Sequence, residues 1–261
     1  MDNEQLTPTP TVVVVTGASA GIGRATAVEL ARHGHGVLVG YRSRPEEAAE
    51  TVAQVEAVGG TARALRLDVA DSTSFAAVRD EVRATLAETW GTDRLEAIVN
   101  NAGFGGGRPF RDMTEEAFDA YYRVLFHGPY FLAQTLEPLL ADGGAIVNVA
   151  SSSAHPGDTH LGYSAYAGMK GGLIVASRYL AAELADRGIR VNTVSPGPTR
   201  TRLGDDAFAK HPELIPPLAE KTALGRIGEP EDVARVLAFL VSRESGWITG
   251  QDIPVTGGYA L

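Results

Sequence analysis

Residues Thr11 to Arg32 constrain the fold more than any other stretch. Thr11-Val12-Val13-Val14-Val15-Thr16 is an unbroken β-branched run, Gly17, Gly21 and Gly23 follow it closely, and Ala25 to Arg32 is rich in Ala, Leu and Glu. Such a run reads as a buried strand, and the segment after the glycines reads as a helix. Glycines between the two let the backbone turn tightly and approach another group without interference from a Cβ. The helix N-terminus beyond them offers N–H groups and the positive end of its dipole to an anion such as a pyrophosphate. The spacing departs from the usual G-x-G-x-x-G, so taken alone the loop also admits a plain strand–helix turn.

The rest of the chain repeats that alternation. Strands are expected near Val12–Thr16, Gly36–Tyr41, Ala62–Leu67, Ala97–Asn100, Ala145–Ala150, Arg190–Val194 and Ile253–Val255. Helices are expected near residues 22–33, 45–58, 72–89, 114–140, 164–185 and 230–242. Strands alternating with helices build a parallel sheet covered on both faces, and right-handed crossovers wind it doubly. The fold class is therefore α/β: a Rossmann-type sheet of about seven strands, formed as a single domain over residues 11–261. Residues 1–10 are polar, carry two prolines and read as a flexible tail; they lack the basic start and apolar core of a signal peptide. No apolar run approaches the length of a membrane span. The chain has no cysteine, which excludes disulfides and thiolate metal sites and fits a cytoplasmic setting. A net charge of −9 argues against general nucleic-acid binding.

Tyr166 and Lys170 carry the first sign of chemistry. They stand four residues apart in an expected helix, one turn apart on one face, in a chain whose only other lysines are Lys210 and Lys221. A phenol is a poor acid at neutral pH, and a cation beside it favours the phenolate and draws its pKa toward the working range. The pair reads as a general acid for a carbonyl oxygen.

These features, with Asn100-Asn101-Ala102-Gly103 between them, resemble the short-chain dehydrogenase/reductase family. The match runs from Thr11 to Gly258 and takes in Asp68-Val69, Ser151, Tyr166-x-x-x-Lys170, Ser195-Pro196-Gly197 and Thr249-Gly250-Gln251. Its overall pattern is closest to 3-oxoacyl-acyl-carrier-protein reductases. The resemblance implies catalysis by Ser151, Tyr166 and Lys170, with the serine polarising the substrate oxygen. Counting backward from Tyr166 points to Ser153 instead; strand register favours Ser151, with Ser152 as a cap or loop hydroxyl. It further implies a nicotinamide dinucleotide held by Gly17, Ser19, Gly21, Ile22, Gly23, Arg42, Asp68, Val69, Asn101, Ala102, Gly103, Pro196, Gly197 and Thr199, together with Tyr166 and Lys170. At the end of the second strand, Tyr41-Arg42-Ser43-Arg44 offers guanidinium groups where an NAD site commonly places a carboxylate, which favours NADP(H) over NAD(H).

The implied activity is hydride transfer between NADP(H) and a carbonyl or alcohol, with a ketone or 3-oxoacyl-type compound as substrate. Arg108, Arg111 and Arg123 could dock a carrier protein. One departure stands out: Leu125 occupies the place where the family usually carries an asparagine that helps hold a proton-relay water. Leucine either packs there while a backbone carbonyl holds the water, or marks a cofactor-bound sensor or interaction protein with little turnover. His155 and His160 border the active loop, yet no metal site is expected. Residues 200–225 read as a substrate lid. Surplus apolar residues at Tyr121, Tyr122, Phe126, Phe131, Ala181 and Ala182 imply a homo-oligomer, and the resemblance implies a tetramer.

Overall fold

A computed structural model describes residues 10–261, apart from the side chains of residues 203–205. The expected tail, residues 1–10, lies outside the described residues except for Pro10. Seven strands, β1 (Val12–Val15), β2 (Gly36–Tyr41), β3 (Ala62–Arg66), β4 (Leu95–Asn100), β5 (Leu140–Val149), β6 (Arg190–Pro196) and β7 (Asp252–Val255), form one sheet. Its order is β3-β2-β1-β4-β5-β6-β7, parallel throughout. The order reverses between β1 and β4, and the crevice at such a reversal is where doubly wound sheets take their ligands.

The valine run behaves as composition demands: all four residues of β1 are fully buried, because helices cover both faces of a parallel sheet. On one face α1 (Gly21–Arg32), α2 (Pro45–Ala57) and α9 (Pro230–Val241) pack through Ala27, Leu30, Val55 and Leu237. On the other, α3 (Phe75–Trp90), α4 (Glu115–Tyr122), α5 (Gly128–Leu136) and α6 (Ser164–Glu183) cover the sheet, and Val78, Leu86, Leu132 and Leu136 supply much of that core. Two short helices, α7 (Leu203–Lys210) and α8 (Ile215–Glu220), follow β6.

The single helix expected over residues 114–140 needs correction. Thr114 caps α4 by accepting from Ala117 N, as its type predicts. The helix then widens into a π-helical turn at Arg123–His127 before α5 resumes. Pro129 explains the break, since it has no N–H to give the Leu125 carbonyl four residues back and its ring crowds that carbonyl. The Gly128 N–H instead reaches Arg123 O, five residues back. A 3₁₀ turn at Glu137–Leu139 closes the helical path, and β5 starts at Leu140 rather than near Ala145.

Candidate active site

A cavity of about 990 Å³ opens at the carboxyl ends of β1, β4, β5 and β6. Every residue expected at the site lines it except Gly23. Gly17 and Gly21 adopt φ +63° and +54°, and a Cβ on Gly17 would stand 2.8 Å from the Ala102 backbone. Gly23 is a packing glycine instead: a Cβ there would collide with Gly17 O and lie 2.5 Å from Asn101 Nδ2. The lack of a side chain there lets α1 approach the loop closely. The N-cap of α1 is Ala20, with no side-chain cap and no acid in the first turn. The leading N–H groups of α1 therefore have no side-chain acceptor where Ala20, Gly21 and Ile22 line the cavity.

Asn101 ties this loop to β4. Its Nδ2 donates to Thr16 O at 2.9 Å and Gly17 O at 3.2 Å, while Thr16 Oγ1 accepts from the N–H groups of Asn101 and Ala102. Asp68, beyond β3, holds the following turn by accepting from Ala70 N at 2.9 Å.

Ser151, Tyr166 and Lys170 come together just past β5. Ser151 precedes a short 3₁₀ turn and accepts from Ser153 N, and the two serine hydroxyls are 2.8 Å apart. Ser151 and the Tyr166 phenol line the same cavity, where the serine hydroxyl acts to lower the phenol's pKa. Ser152 turns away and donates to Asp158 Oδ2 at 2.5 Å, which makes it the loop hydroxyl. Tyr166 and Lys170 are buried on α6, and Lys170 Nζ donates to Val149 O at 2.5 Å.

Burial works against the attraction that the Tyr–Lys spacing provides. Burial pushes the Tyr166 phenol up to about 12, with the Ser151 hydroxyl opposing it. Burial also pushes the Lys170 ammonium down to about 8. Lys170 therefore loses its proton before the phenol would ionise, and no cation remains at that point to stabilise a phenolate. Desolvation overrides the charge–charge attraction that the spacing suggested. At neutral pH the site presents a protonated phenol in the cavity that Ser151 also lines, an arrangement suited to giving a proton away.

Leu125 sits in the π-helical turn and is 1% exposed, packed with Tyr121, Ala165 and Tyr166. A Cβ on Gly103 would meet Leu125 Cδ2 at 3.3 Å and Lys170 Nζ at 3.9 Å, so both side chains border Gly103. It fills space there as a core side chain.

The remaining walls were less legible in advance. Phe104, Tyr163, Phe208 and Leu218 give the cavity a broad apolar side, and Tyr163 meets the Tyr166 ring edge-on at 5.8 Å. His160 lines it and lies 2.8 Å from the buried Asp158, whereas His155 pairs with Asp252 outside it. Thr201, Glu47 and Arg202 also line the cavity, the last two joined across 155 positions of sequence. Among the described residues no group of three or more His, Cys, Asp or Glu side chains could hold a metal, and no helix is long and apolar enough to cross a membrane.

A family model described as enoyl-(acyl carrier protein) reductase matches residues 17–260. An uncharacterised oxidoreductase of Methylorubrum extorquens is 38% identical over 248 residues, covering 95% of this chain and 96% of that one. The promiscuous reductase LugOII, which catalyses keto-reduction at C1 during lugdunomycin biosynthesis, superposes with a TM-score of 0.91 at 39% identity, over 97% of this chain and 99% of its own. The angucycline C-6 ketoreductase LanV, solved with bound NADP, gives a TM-score of 0.89 at 33% identity over 95% of both chains. The chain belongs to the short-chain dehydrogenase/reductase family and is an oxidoreductase of that type.

Proposed function

We propose that this protein is an NADPH-dependent ketoreductase acting on bulky, largely apolar ketones. The observation that carries the reading is the neutral, buried Tyr166 phenol, which lines a large cavity together with Ser151, Lys170 and several apolar side chains. The residues present fit the dinucleotide. Gly17 leaves no room for a side chain, the leading N–H groups of α1 are without a side-chain cap, and Arg42, Ser43 and Arg44 line the end where a 2′-phosphate would be met. The absence of an acid at Arg42 favours NADP(H) over NAD(H), in keeping with the NADP bound to LanV.

When bound, the nicotinamide supplies the hydride for the carbonyl carbon. Ser151 donates to the substrate oxygen and stabilises the charge growing on it, and Tyr166 delivers its proton to that oxygen. Lys170, still mostly charged at neutral pH, adds positive potential to the site and holds α6 against Val149 O. A phenol that resists ionisation favours reduction, since the reverse oxidation needs the phenolate as base. Phe104, Tyr163, Phe208 and Leu218 would cover the substrate, residues 200–225 acting as a lid over a single domain spanning residues 11–261.

The apolar wall favours a compact ring ketone over a carrier-bound 3-oxoacyl chain. Arg123, one of three arginines offered for a carrier dock, is already paired with Asp119 at 2.6 Å. The sensor reading rested on Leu125, and the intact serine, tyrosine and lysine beside it weigh against that role. Assembly into a homo-oligomer, a tetramer by analogy with the family, is supported by exposed Phe118, Tyr122 and Phe131. Tyr121 and Ala181 do not contribute, being spent within the subunit core. A cytoplasmic location accords with a cysteine-free chain using this cofactor. NADPH consumption over a panel of aromatic ring ketones and 3-oxoacyl thioesters tests the reading. Turnover is expected chiefly with the ring ketones, and turnover confined to the thioesters would refute the substrate class.

A further inference from the structure

In the wall of the cavity three charged side chains meet. Glu47, in the first turn of α2, accepts from Arg202 Nη1 at 2.8 Å and Nη2 at 2.6 Å, a two-pronged pair. Arg44 Nη1 reaches Glu47 Oε1 at 3.0 Å. Arg42, Arg44, Glu47 and Arg202 all line the cavity, and Arg202 belongs to the segment that leads from β6 into α7. One carboxylate thus gathers two guanidinium groups, one from the loop after β2 and one from the lid segment.

This grouping has the chemistry of an anion site with its anion built in. Two-pronged pairing is the geometry guanidinium uses for carboxylate and phosphate alike. The two arginines hold the Glu47 carboxyl at about 2, so it keeps its charge at any working pH. The contact is partly exposed, and isolated pairs of that kind contribute little to stability, so a competing dianion can displace it.

We propose that Glu47 determines cofactor choice by occupying Arg44 and Arg202 in place of the 2′-phosphate of NADPH, which takes both arginines over when it binds. The inference rests on the cofactor reading above. Glu47 weakens NADPH binding twice: its charge repels the phosphate, and its partners must be released. NADH brings no phosphate and leaves the pair intact. Arg202 then ties the lid segment to the cofactor in one case and to α2 in the other.

The test is equilibrium binding of NADPH and NADH, followed by intrinsic fluorescence, to the full chain and to Glu47→Gln, Arg202→Ala and the double variant. Removing one unit of negative charge a few ångströms from a dianion near the surface should tighten NADPH binding about tenfold. NADH affinity should change less than about twofold on the same reasoning, since no charged partner faces Glu47. Arg202→Ala should weaken NADPH and spare NADH, and in the double variant most of the Glu47→Gln gain should vanish. A NADH-to-NADPH affinity ratio in Glu47→Gln equal to that of the parent would overturn the role of Glu47. A Glu47→Gln gain undiminished in the double variant would remove Arg202 from it. Equal affinity of the parent for the two cofactors would count against the cofactor preference alone. Circular dichroism of each variant separates a folding defect from a binding change.

Discussion

Replacing Lys170 by Met gives the most quantitative consequence of this site. The side chain is 4% exposed, and its one polar protein contact among the described residues is Val149 O. Burial lowers its pKa from 10.5 to about 8. Between those two values the unfolded chain keeps a proton that the folded chain has lost, so folding stability rises with pH across that window. Each pH unit is worth about 1.4 kcal/mol, so the full penalty for the buried ammonium is roughly 3 kcal/mol, present below pH 8 and relieved above about pH 10.5. Methionine matches the length of the side chain and carries no charge, but it strands the Val149 carbonyl, at a cost of about 1–2 kcal/mol. Lys170→Met should therefore be more stable than the parent by about 1–2 kcal/mol at pH 7. At pH 10 it should be less stable than the parent, by up to about 1 kcal/mol. Urea melts of both proteins from pH 7 to 10 measure the difference, stopping below the range where tyrosines ionise. A difference that stays constant over that range would refute the buried-ammonium reasoning. In either case the variant should lose turnover, a trade of activity for stability.

Tyr166→Phe should cut turnover about 10²–10⁴-fold while NADPH binding stays close to that of the parent, since the proton is lost and the ring remains. Arg42→Ala should weaken NADPH roughly tenfold or more and leave NADH nearly unchanged, as fluorescence titration would show. Leu125→Asn should lower stability by about 2–4 kcal/mol in urea melts and bring no gain in turnover, because it puts an amide into a packed site. Ketone reduction should fall above about pH 8 as Lys170 loses its proton, with Tyr166 still protonated; a rate that climbs instead through pH 9 would contradict that order.

The parts of this protein that sequence made legible are those held by local pattern. The β1 valines and the apolar runs within β2, β4 and β5 announce themselves because a strand covered on both faces is largely apolar. The site residues Gly17, Asn101, Ser151, Tyr166 and Lys170 stand at fixed places relative to those strands, so their convergence could be foreseen. Pro129, with no N–H to give, is the one sequence signal of the π-helical turn, set in an otherwise continuous helical pattern. The pKa values of Tyr166 and Lys170 could not be read from a four-residue spacing, because burial outweighs the attraction it provides. Glu47 and Arg202 meet only through the winding of the chain, and neither α2 nor the lid segment hints at the other. Phe208 and Leu218 face the cavity for the same reason.

Transfer of deuterium from NADPH labelled at the reactive carbon of its nicotinamide tests the central claim most directly. The purified protein would be mixed with an aromatic ring ketone, and the alcohol recovered and examined by NMR. The account predicts one deuterium on the carbinol carbon for each NADPH consumed, and only traces of labelled alcohol from Tyr166→Phe under the same conditions. Tight binding of NADPH with no label reaching any ketone, or equal transfer by the parent and Tyr166→Phe, would contradict it.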